Sequence, residues 1–401
     1  MRAIRTQYLL AFAVMGSLLP YLPLFLQQRG LSDGQIGQVI AMTGLAMALT
    51  PALAGLLADT RFSSRALLGC VYGLAGLSLG AMLGAHAFLT LLLTFSGFAI
   101  AFAPVHALHD GLTFSEVERR AMNGLASPPY HRVRVFGTVG FILPSLLLYL
   151  VIEAGAPVDA ALLTAAALCL LGLLNTRLLP RPDDGSPGTT DRLPTSTALR
   201  AFARPRLLAY CLGMFLLMSS SSAYYAFYPR YLTDEAVVGI DSQWVGLISS
   251  IGVSVEIFFM LGFGRLVRTL TLRGLIVLGV LGMVARLLLL GLWVHPAVAV
   301  GTQVFHGIHV MVIHVAPPVL INRAAGPGYR SSMLGIYAMG VNGIGRVIGS
   351  ILAGEVADVS LTGLFTAAGC VTALALPLLA WSVPGDRRLE ADAGSTEQAE
   401  S

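Results

Sequence analysis

The chain has 401 residues, of which 56% are hydrophobic and only 11% are charged, with a formal net charge of +4. A soluble protein of this length needs a much larger charged surface, so the composition excludes a soluble globular protein. Runs of about 20 apolar residues separated by short polar segments are typical of a polytopic helical membrane protein.

The apolar runs predict twelve transmembrane helices and an all-α fold. Their approximate bounds are 5–27, 34–58, 66–85, 87–110, 134–154, 157–178, 206–231, 242–264, 273–293, 296–320, 332–353 and 361–383. The polar segment 179–205, rich in Pro, Gly and Thr, separates six spans from six and reads as a linker. The predicted units are an N-terminal six-helix bundle (1–178), a cytoplasmic linker (179–205), a C-terminal six-helix bundle (206–383) and a disordered cytoplasmic tail (384–401).

The placement of the arginines predicts the orientation. With the N-terminus inside and an even number of spans, nearly all loop arginines fall on the inner side, and only Arg29 and Arg230 fall outside. Because basic loops normally stay in the cytoplasm, both termini are predicted to be cytoplasmic in a bacterial inner (plasma) membrane.

The two halves contain similar segments where an odd-numbered span ends and the next begins. "PYLPLFLQQRGLSDGQIG" (20–37) matches "YPRYLTDEAVVGIDSQWVG" (228–246) in its Pro, aromatic and Leu positions and in the Gln that precedes the opening Gly. Parallel six-span repeats suit a transporter with one central site, although any two helical hairpins share some of these features. Tyr21 and Tyr225 occupy matching places and could line a site for a planar substrate, or simply lie in an interfacial aromatic belt.

Charged side chains in the middle of predicted spans point to function because burial in lipid is costly. Glu256, in "SSIGVSVEIFFMLGF", is the one carboxylate near mid-span and could bind and release a proton; the alternative is a static Glu–Arg brace between helices. Arg286 keeps its charge, so its expected partners are Glu256, an imidazole or a substrate carboxylate. Arg346 lies among small residues, where an anion-binding role and a structural role are equally open.

The tenth span carries Gln303, His306 and His309 at intervals of three, so the three side chains share one helix face. Histidine suits a proton relay, whereas hydrogen-bonded structural histidines are the alternative. This spacing, without a neighbouring Cys or carboxylate, does not predict a metal site. The four cysteines lie in apolar runs and are predicted to be packed thiols.

The order of several motifs resembles the major facilitator superfamily, in particular the phenylpropionate/proton symporter-like group related to proton-coupled sugar permeases. The motifs are "PYLPLFLQQRGLSDGQIG", "VRVFGTVGFI", "AYYAFYPRYL", "GVSVEIF" and "QVFHGIHVMVIHVAPPVLI", and together they span nearly all of 1–383. The resemblance implies two six-helix bundles that alternate access to a central site.

The resemblance also implies roles for particular positions. Arg286 and His306 fall where the sugar permeases have their coupling network, while His309 replaces the Glu that takes the proton there, which shifts the expected proton site to Glu256. Arg134 falls on an arginine that helps to hold substrate and meets an acid of the fourth span, for which Asp110 is the likeliest counterpart. The loop "GLLADTRFSSR" resembles the gating motif of the superfamily through Gly55, Asp59 and Arg65.

These observations predict proton-coupled uptake of a small organic solute. A pair of mid-membrane arginines against one carboxylate favours an organic or aromatic acid. The alternatives are an uncoupled uniporter or an exporter of a sugar, nucleoside or drug-like solute, and, from another class, a non-transporting receptor or scaffold. Nucleotide-binding loops and paired catalytic carboxylates are missing from the sequence, so no enzyme activity is expected. The expected partners are the solute, protons and lipid, with no cofactor, metal or nucleic acid, and a monomer is expected to be functional.

Overall fold

The computed structural model describes residues 1–60, 63–126, 128, 130–180, 195–324 and 330–385. Side chains are described at these positions except 51–60, 131, 195–198, 261, 263–265, 267, 268 and 322–331. Most of the predicted linker and tail therefore lies outside the described residues.

The first half forms six predicted spans from eight helices. Spans 1 and 4 are each interrupted, because Pro20 follows the first helix of span 1 and Pro104 precedes the second helix of span 4, and proline cannot donate the next helical hydrogen bond. The helices are Arg2–Leu18 and Leu22–Gln28 (span 1), Asp33–Thr60 (span 2), Ser64–Leu83 (span 3), Phe88–Phe102 and Val105–Met122 (span 4), Tyr130–Glu153 (span 5) and Asp159–Thr176 (span 6).

The second half begins with a short helix, Thr195–Phe202, and continues as six further spans. Spans 8 and 9 are two helices that meet at Thr271, whose non-helical backbone (φ 62°, ψ 158°) turns the chain between them. The bounds are Pro205–Thr233 (span 7), Trp244–Leu292 (spans 8 and 9), Pro296–Gly301 through Ala316–Ala324 (span 10), Arg330–Tyr337 through Gly345–Val359 (span 11) and Leu361–Ser382 (span 12).

Length and composition support the membrane assignment. Among the described residues, nine helices are long and apolar enough to cross a membrane, or ten if the bent pair of span 1 counts as one. Span 2 is a 28-residue helix, and the shorter apolar helix Trp244–Met260 occupies the place of span 8. The predicted all-α membrane fold is confirmed.

Spans 10 and 11 depart from regular α-helix near their centres. In span 10 a 3₁₀ turn, Thr302–Phe305, precedes His306, and a π-helical turn, Met311–Val315, follows Val310. Pro317 and Pro318 come just after this turn and lack the N–H groups that would continue regular hydrogen bonding. A second π-helical segment, Ala338–Ile344, lies in span 11. Such segments rotate side chains out of the α-helical register and are frequent at functional sites.

The two halves meet through related pairs of spans: span 2 packs on span 11, and span 8 packs on span 5. Each pair becomes the other when six is added to or subtracted from the span numbers, as expected for a duplicated six-span unit. Small residues permit the approach of spans 2 and 11, because a Cβ at Gly44 would lie 2.7 Å from the Gly343 carbonyl oxygen. The contact leaves the central face of each bundle directed toward the other.

Candidate functional site

Arg286 of span 9 is fully buried and is held by side chains from spans 7 and 10. Its Nη2 donates hydrogen bonds to the Tyr224 hydroxyl and to Gln303 Oε1, the latter at 2.8 Å, and its Nη1 lies 3.5 Å from His306 Nδ1. Gln303 Nε2 also donates to the Tyr224 hydroxyl at 3.0 Å. Because Arg286 can only donate, His306 Nδ1 must be the acceptor in their contact.

Span 8 makes room for this network through a glycine. A Cβ at Gly252 would lie 3.0 Å from His306 Cγ and would also collide with Gln303 Oε1. The sequence "SSIGVSVE" therefore allows span 8 to approach the polar face of span 10. Glu256 follows Gly252 by four residues and so lies on the same side of the helix.

Of the partners expected for Arg286, the structure shows an imidazole, that of His306, and not Glu256. Within the described residues, neither a hydrogen bond nor an ion pair joins Arg286 to Glu256 or to any other carboxylate; the partners of Arg286 are two neutral oxygens, a ring nitrogen and the faces of aromatic rings. The Arg286 guanidinium carbon lies 3.7 Å from the centre of the Tyr224 ring and 5.9 Å from that of Tyr228. A cation–π contact and charge-assisted hydrogen bonds thus replace the expected ion pair.

His309 is fully buried one turn beyond His306, and its hydrogen bond fixes its tautomer. Its Nε2 lies 3.0 Å from Ser221 Oγ, and that hydroxyl already donates its one proton to the Leu217 carbonyl at 2.6 Å. His309 Nε2 is therefore assigned as the donor, and the buried Nδ1 of His309 has no hydrogen-bond partner among the described residues. A second proton on Nδ1 would be a buried, unpaired charge, so the geometry supports the neutral structural alternative for His309 in this conformation.

Three charged side chains in the middle of the molecule act on shared neighbours without forming close pairs. Glu256 of span 8 is half-buried, and the cation that acts on it through space is Arg134 of span 5 in the other half. Arg346 of span 11 interacts electrostatically with Tyr225 of span 7, which in turn lies within range of Glu256. Within the described part of the chain, no hydrogen bond or ion pair satisfies Glu256 or Arg346. We call Arg134, Glu256 and Arg346 the central charges.

Tyr225 shows that the central charges border an open space. It is 36% exposed although it lies in the middle of span 7 beside His306 and His309, with ring centres 6.0 Å and 6.4 Å away. Its exposed surface therefore faces a cavity inside the bundle rather than lipid. Charges with no protein partner in such a cavity must be satisfied by water or a bound solute.

The expected pairing of Arg134 with Asp110 is also corrected. Asp110 accepts hydrogen bonds from the hydroxyls of Tyr8 and Tyr130, at 2.5 Å and 2.7 Å. Arg134 instead lies over the ring of Phe12, at 5.5 Å from its centre. Two tyrosine donors satisfy the Asp110 carboxylate within its own bundle, so Arg134 remains free to face Glu256.

At the predicted outer end, charged groups join the two halves. The Asp358 carboxylate at the end of span 11 accepts hydrogen bonds from the backbone N–H groups of Asp33 and Gly34, at 2.7 Å and 2.9 Å, where span 2 begins. Arg230 of span 7 pairs with Asp33 at 3.2 Å. An acidic group at a helix N-terminus is stabilised by the free N–H groups and the helix dipole. We call Asp33, Arg230 and Asp358 the outer seal.

Tyr21 belongs to this closure in the present conformation. Its buried hydroxyl accepts a hydrogen bond from the Gly246 N–H at 3.3 Å, across the two halves, and the hydroxyls of Ser250 and Ser145 form a hydrogen bond of 3.0 Å nearby. In the described residues, all hydrogen bonds between the halves lie toward this end. The cavity is therefore closed on the predicted outer side.

The loop motif after span 2 is only partly described. Gly55 and Asp59 lie in the helix Asp33–Thr60, but their side chains are outside the described set. Arg65 donates to the backbone carbonyls of Arg177 and Leu179, at 2.7 Å and 3.3 Å, which ties the start of span 3 to the end of span 6. The gating role of this motif stays a prediction.

The model of the MFS_1 like family matches residues 1–367. The protein belongs to the MFS_1 like family. Members of this family are major facilitator superfamily proteins, as the sequence resemblance implied, whereas the phenylpropionate subgroup is not confirmed.

Curated relatives of this MFS_1 like protein are permeases. The putative nucleoside transporter YegT of Escherichia coli K12 is 26% identical over 363 residues, covering 82% of this chain and 78% of the relative. The nucleoside permease NupG of the same strain is 23% identical over 367 residues (87% and 86%), and its xanthosine permease is 23% identical over 347 residues (82% and 80%). The protein is thus a multi-pass membrane transporter rather than an enzyme.

Solved structures show the same fold. A crystal structure of a NupG mutant superposes with a TM-score of 0.86 at 18% identity, covering 95% of this chain and 99% of that one. An inward-facing bacterial homologue of the human lysosomal transporter Spinster gives a TM-score of 0.66 at 16% identity, covering 97% and 96%. The predicted two-bundle architecture of this family is confirmed.

Several residues at the site were not among the sequence candidates. Tyr224, which follows the serines of "SSSSAYYAFY", contacts Arg286 more closely than the predicted Tyr225 does. Asp33 and Asp358 lie 325 residues apart and meet only through packing. Helical periodicity could have indicated Tyr224, because it lies on the same face as Ser221 and Tyr228, but sequence gives no signal for a contact between the halves.

Proposed function

We propose that the protein is a proton-coupled importer of nucleosides in a bacterial inner (plasma) membrane, with both termini in the cytoplasm. The observation that carries this proposal is the position of Glu256, a half-buried carboxylate that faces Arg134 of the opposite bundle without a direct partner. A carboxylate between two moving halves changes its surroundings as access alternates, and this change can bind and release a proton. The names of the relatives favour a nucleoside over the organic acid that the charge balance suggested.

The cavity chemistry is compatible with a neutral, planar, polar solute. Tyr225 offers an aromatic face for stacking. Among the central charges, the two arginines supply hydrogen-bond donors and Glu256 supplies an acceptor, and the donors are not gathered at one point. An organic acid is the second candidate, because its carboxylate could pair with Arg346, which has no ion-pair partner among the described residues. An uncoupled uniporter or exporter, and a receptor that does not transport, remain as alternatives for the test.

In this proposal the present conformation opens to the cytoplasm. The outer seal holds spans 2, 7 and 11 together, and the central charges lie on the inner side of that contact. Import would require the seal to break, nucleoside and proton to enter, and the seal to re-form behind them. Solute, protons and lipid are the proposed partners of a functional monomer.

The test is counterflow and proton flux in proteoliposomes with radiolabelled uridine, inosine, benzoate and lactose. Uridine or inosine counterflow, with proton entry that follows nucleoside entry, supports the proposal. Counterflow of benzoate alone would select the organic acid, and nucleoside counterflow without proton movement would select the uniporter. Binding without counterflow of any solute would indicate a receptor.

A further inference from the structure

Span 10 carries a third histidine, His314, whose surroundings differ from those of the other two. His306 is 8% exposed and His309 is fully buried, whereas the side chain of His314 is exposed although it lies within the apolar span Pro296–Ile321. Within the described part of the chain, no hydrogen bond, ion pair or ring contact involves His314. A polar side chain that lies inside a membrane span without a protein partner points to function.

The groups that act on His314 show where its exposed surface points. Arg346 of span 11 lies within electrostatic range in the same half, and Arg134 of span 5 and His106 of span 4 lie within range in the other half. A side chain on the lipid surface of span 10 would not be close to both spans 4 and 5, because these two spans belong to the opposite bundle. The exposed imidazole therefore faces the space between the halves, and it borders the central cavity as Tyr225 does.

A structural role for His314 has no contact to support it. The structural histidine of this span is His309, whose ring lies 3.0 Å from Ser221 Oγ of span 7 and is fully buried. His314 has neither feature. It lies instead in the π-helical turn Met311–Val315, and turns of this kind are frequent at functional sites. The imidazole is therefore available to whatever occupies the cavity.

The neighbours of His314 define what it offers to a solute. The charges that act on it most strongly are those of Arg346 and Arg134, and both are cations. A solute in this part of the cavity therefore meets a neutral imidazole, with one N–H donor and one ring-nitrogen acceptor. A guanidinium has donors only. His314 thus supplies the acceptor that the two arginines cannot.

We infer that His314 contacts the transported solute in the central cavity and accepts a hydrogen bond from one of its hydroxyl or N–H groups. The inference rests on the proposed nucleoside transport, because a nucleoside carries such donors on its ribose. It adds to the site a residue of span 10 that differs in role from its neighbours: His306 accepts from Arg286, and His309 is bonded to Ser221. Of these three imidazoles, the exposed one is the one assigned to the solute.

The first experiment measures whether uridine covers this position. His314→Cys is made in a protein whose four native cysteines are replaced by Ala, and its modification by a polar maleimide is followed in detergent. We expect modification without ligand and a much lower rate with saturating uridine. His86→Cys is the control, because His86 is exposed in the loop between spans 3 and 4, and uridine should not change its rate.

The outcomes separate the inference from the proposed function. A cysteine at 314 that does not react, or that reacts at the same rate with uridine in a variant that still exchanges uridine, would overturn the inference. If the unmodified protein exchanges no nucleoside, nucleoside transport is rejected instead. Benzoate is therefore run in parallel, and protection by benzoate alone would keep His314 at the solute site while rejecting its role as acceptor for a nucleoside.

The second experiment compares two variants in tritiated uridine binding. His314→Leu removes the acceptor and should bind uridine about fivefold more weakly, the loss of one hydrogen bond between neutral groups. His314→Gln keeps an acceptor and should recover most of the affinity. The unfolding midpoint without ligand should be the same in all three proteins, because the imidazole has no described protein partner. A lower midpoint of His314→Leu with unchanged uridine affinity would show a structural role and overturn the inference.

Discussion

The guanidinium of Arg286 lies 3.7 Å from the ring centre of Tyr224 and donates a hydrogen bond to the hydroxyl of the same tyrosine. One residue therefore supplies both a π face and an oxygen acceptor to a fully buried cation. Gln303 provides the other oxygen acceptor at 2.8 Å. In this conformation the charge is stabilised without an ion pair to any described carboxylate.

Replacing Tyr224 by Phe tests this dependence. The ring stays, but Arg286 Nη2 and Gln303 Nε2 both lose their acceptor, and a buried donor left unsatisfied costs about 1–3 kcal/mol. We expect a clear fall in the thermal unfolding midpoint of the protein in detergent. Tyr231→Phe is the control, because the buried Tyr231 hydroxyl donates to the Leu290 carbonyl at 2.7 Å and serves no charged group. Equal losses in the two variants would contradict the role of Tyr224.

Glu256→Gln tests the proton site. The amide cannot take up a proton, so uptake should no longer be stimulated by an inward proton gradient, while nucleoside exchange at equal pH should persist. Glu118→Gln, which neutralises an exposed carboxylate at the end of span 4, should leave gradient-driven uptake unchanged. The measurement is uridine accumulation in proteoliposomes with and without the gradient. Full gradient-driven accumulation by Glu256→Gln would remove the coupling assignment.

Arg230→Gln tests the outer seal. The loss of the partly buried pair with Asp33 should weaken closure by roughly 1 kcal/mol, or about fivefold in the population open to the outside. The readout is labelling of Ser250→Cys by a membrane-impermeant maleimide, in a protein whose four native cysteines are replaced by Ala. Labelling should accelerate with Arg230→Gln.

The matched control for the seal is Arg29→Gln. Like Arg230 and Asp33, Arg29 and Asp159 form an Arg–Asp ion pair, at 2.7 Å, but both residues belong to the first half. This variant should leave the labelling rate of Ser250→Cys unchanged. If the two arginine variants change labelling alike, the pair between the halves has no special part in closure.

Gly37→Val tests the close contact of spans 2 and 11. A Cβ at Gly37 would collide with the Ser350 carbonyl oxygen and approach Gly354 Cα to 3.0 Å, so valine should prevent closure of the outer end. We expect normal amounts of folded protein, little uptake and faster labelling of Ser250→Cys. Gly80→Val is the control, because a Cβ there meets no atom within 4 Å. Unimpaired uptake by Gly37→Val would show that this contact does not have to form during transport.

The sequence predicted the position of each charge along its span but could not identify its partner. Glu256, Arg286 and His306 were singled out because each is costly in lipid, and the structure places all three inside the bundle. Of the partners expected for Arg286, the structure shows an imidazole, that of His306, and no pair with Glu256, because the rotation of each span depends on packing. The opposing cation came from Arg134, 122 positions earlier in the chain.

The amino-acid sequence by itself determined the membrane-spanning all-α architecture, because about 20 apolar residues bury a helical backbone in lipid wherever they occur. It also determined the pseudo-repeat and the set of charged side chains whose burial in the membrane costs so much free energy that a functional role is expected. Only the tertiary structure decided that Tyr224 holds Arg286 and that Asp358 caps span 2. Those contacts depend on the rotation and separation of helices far apart in the chain, which glycines and π-helical turns set through packing.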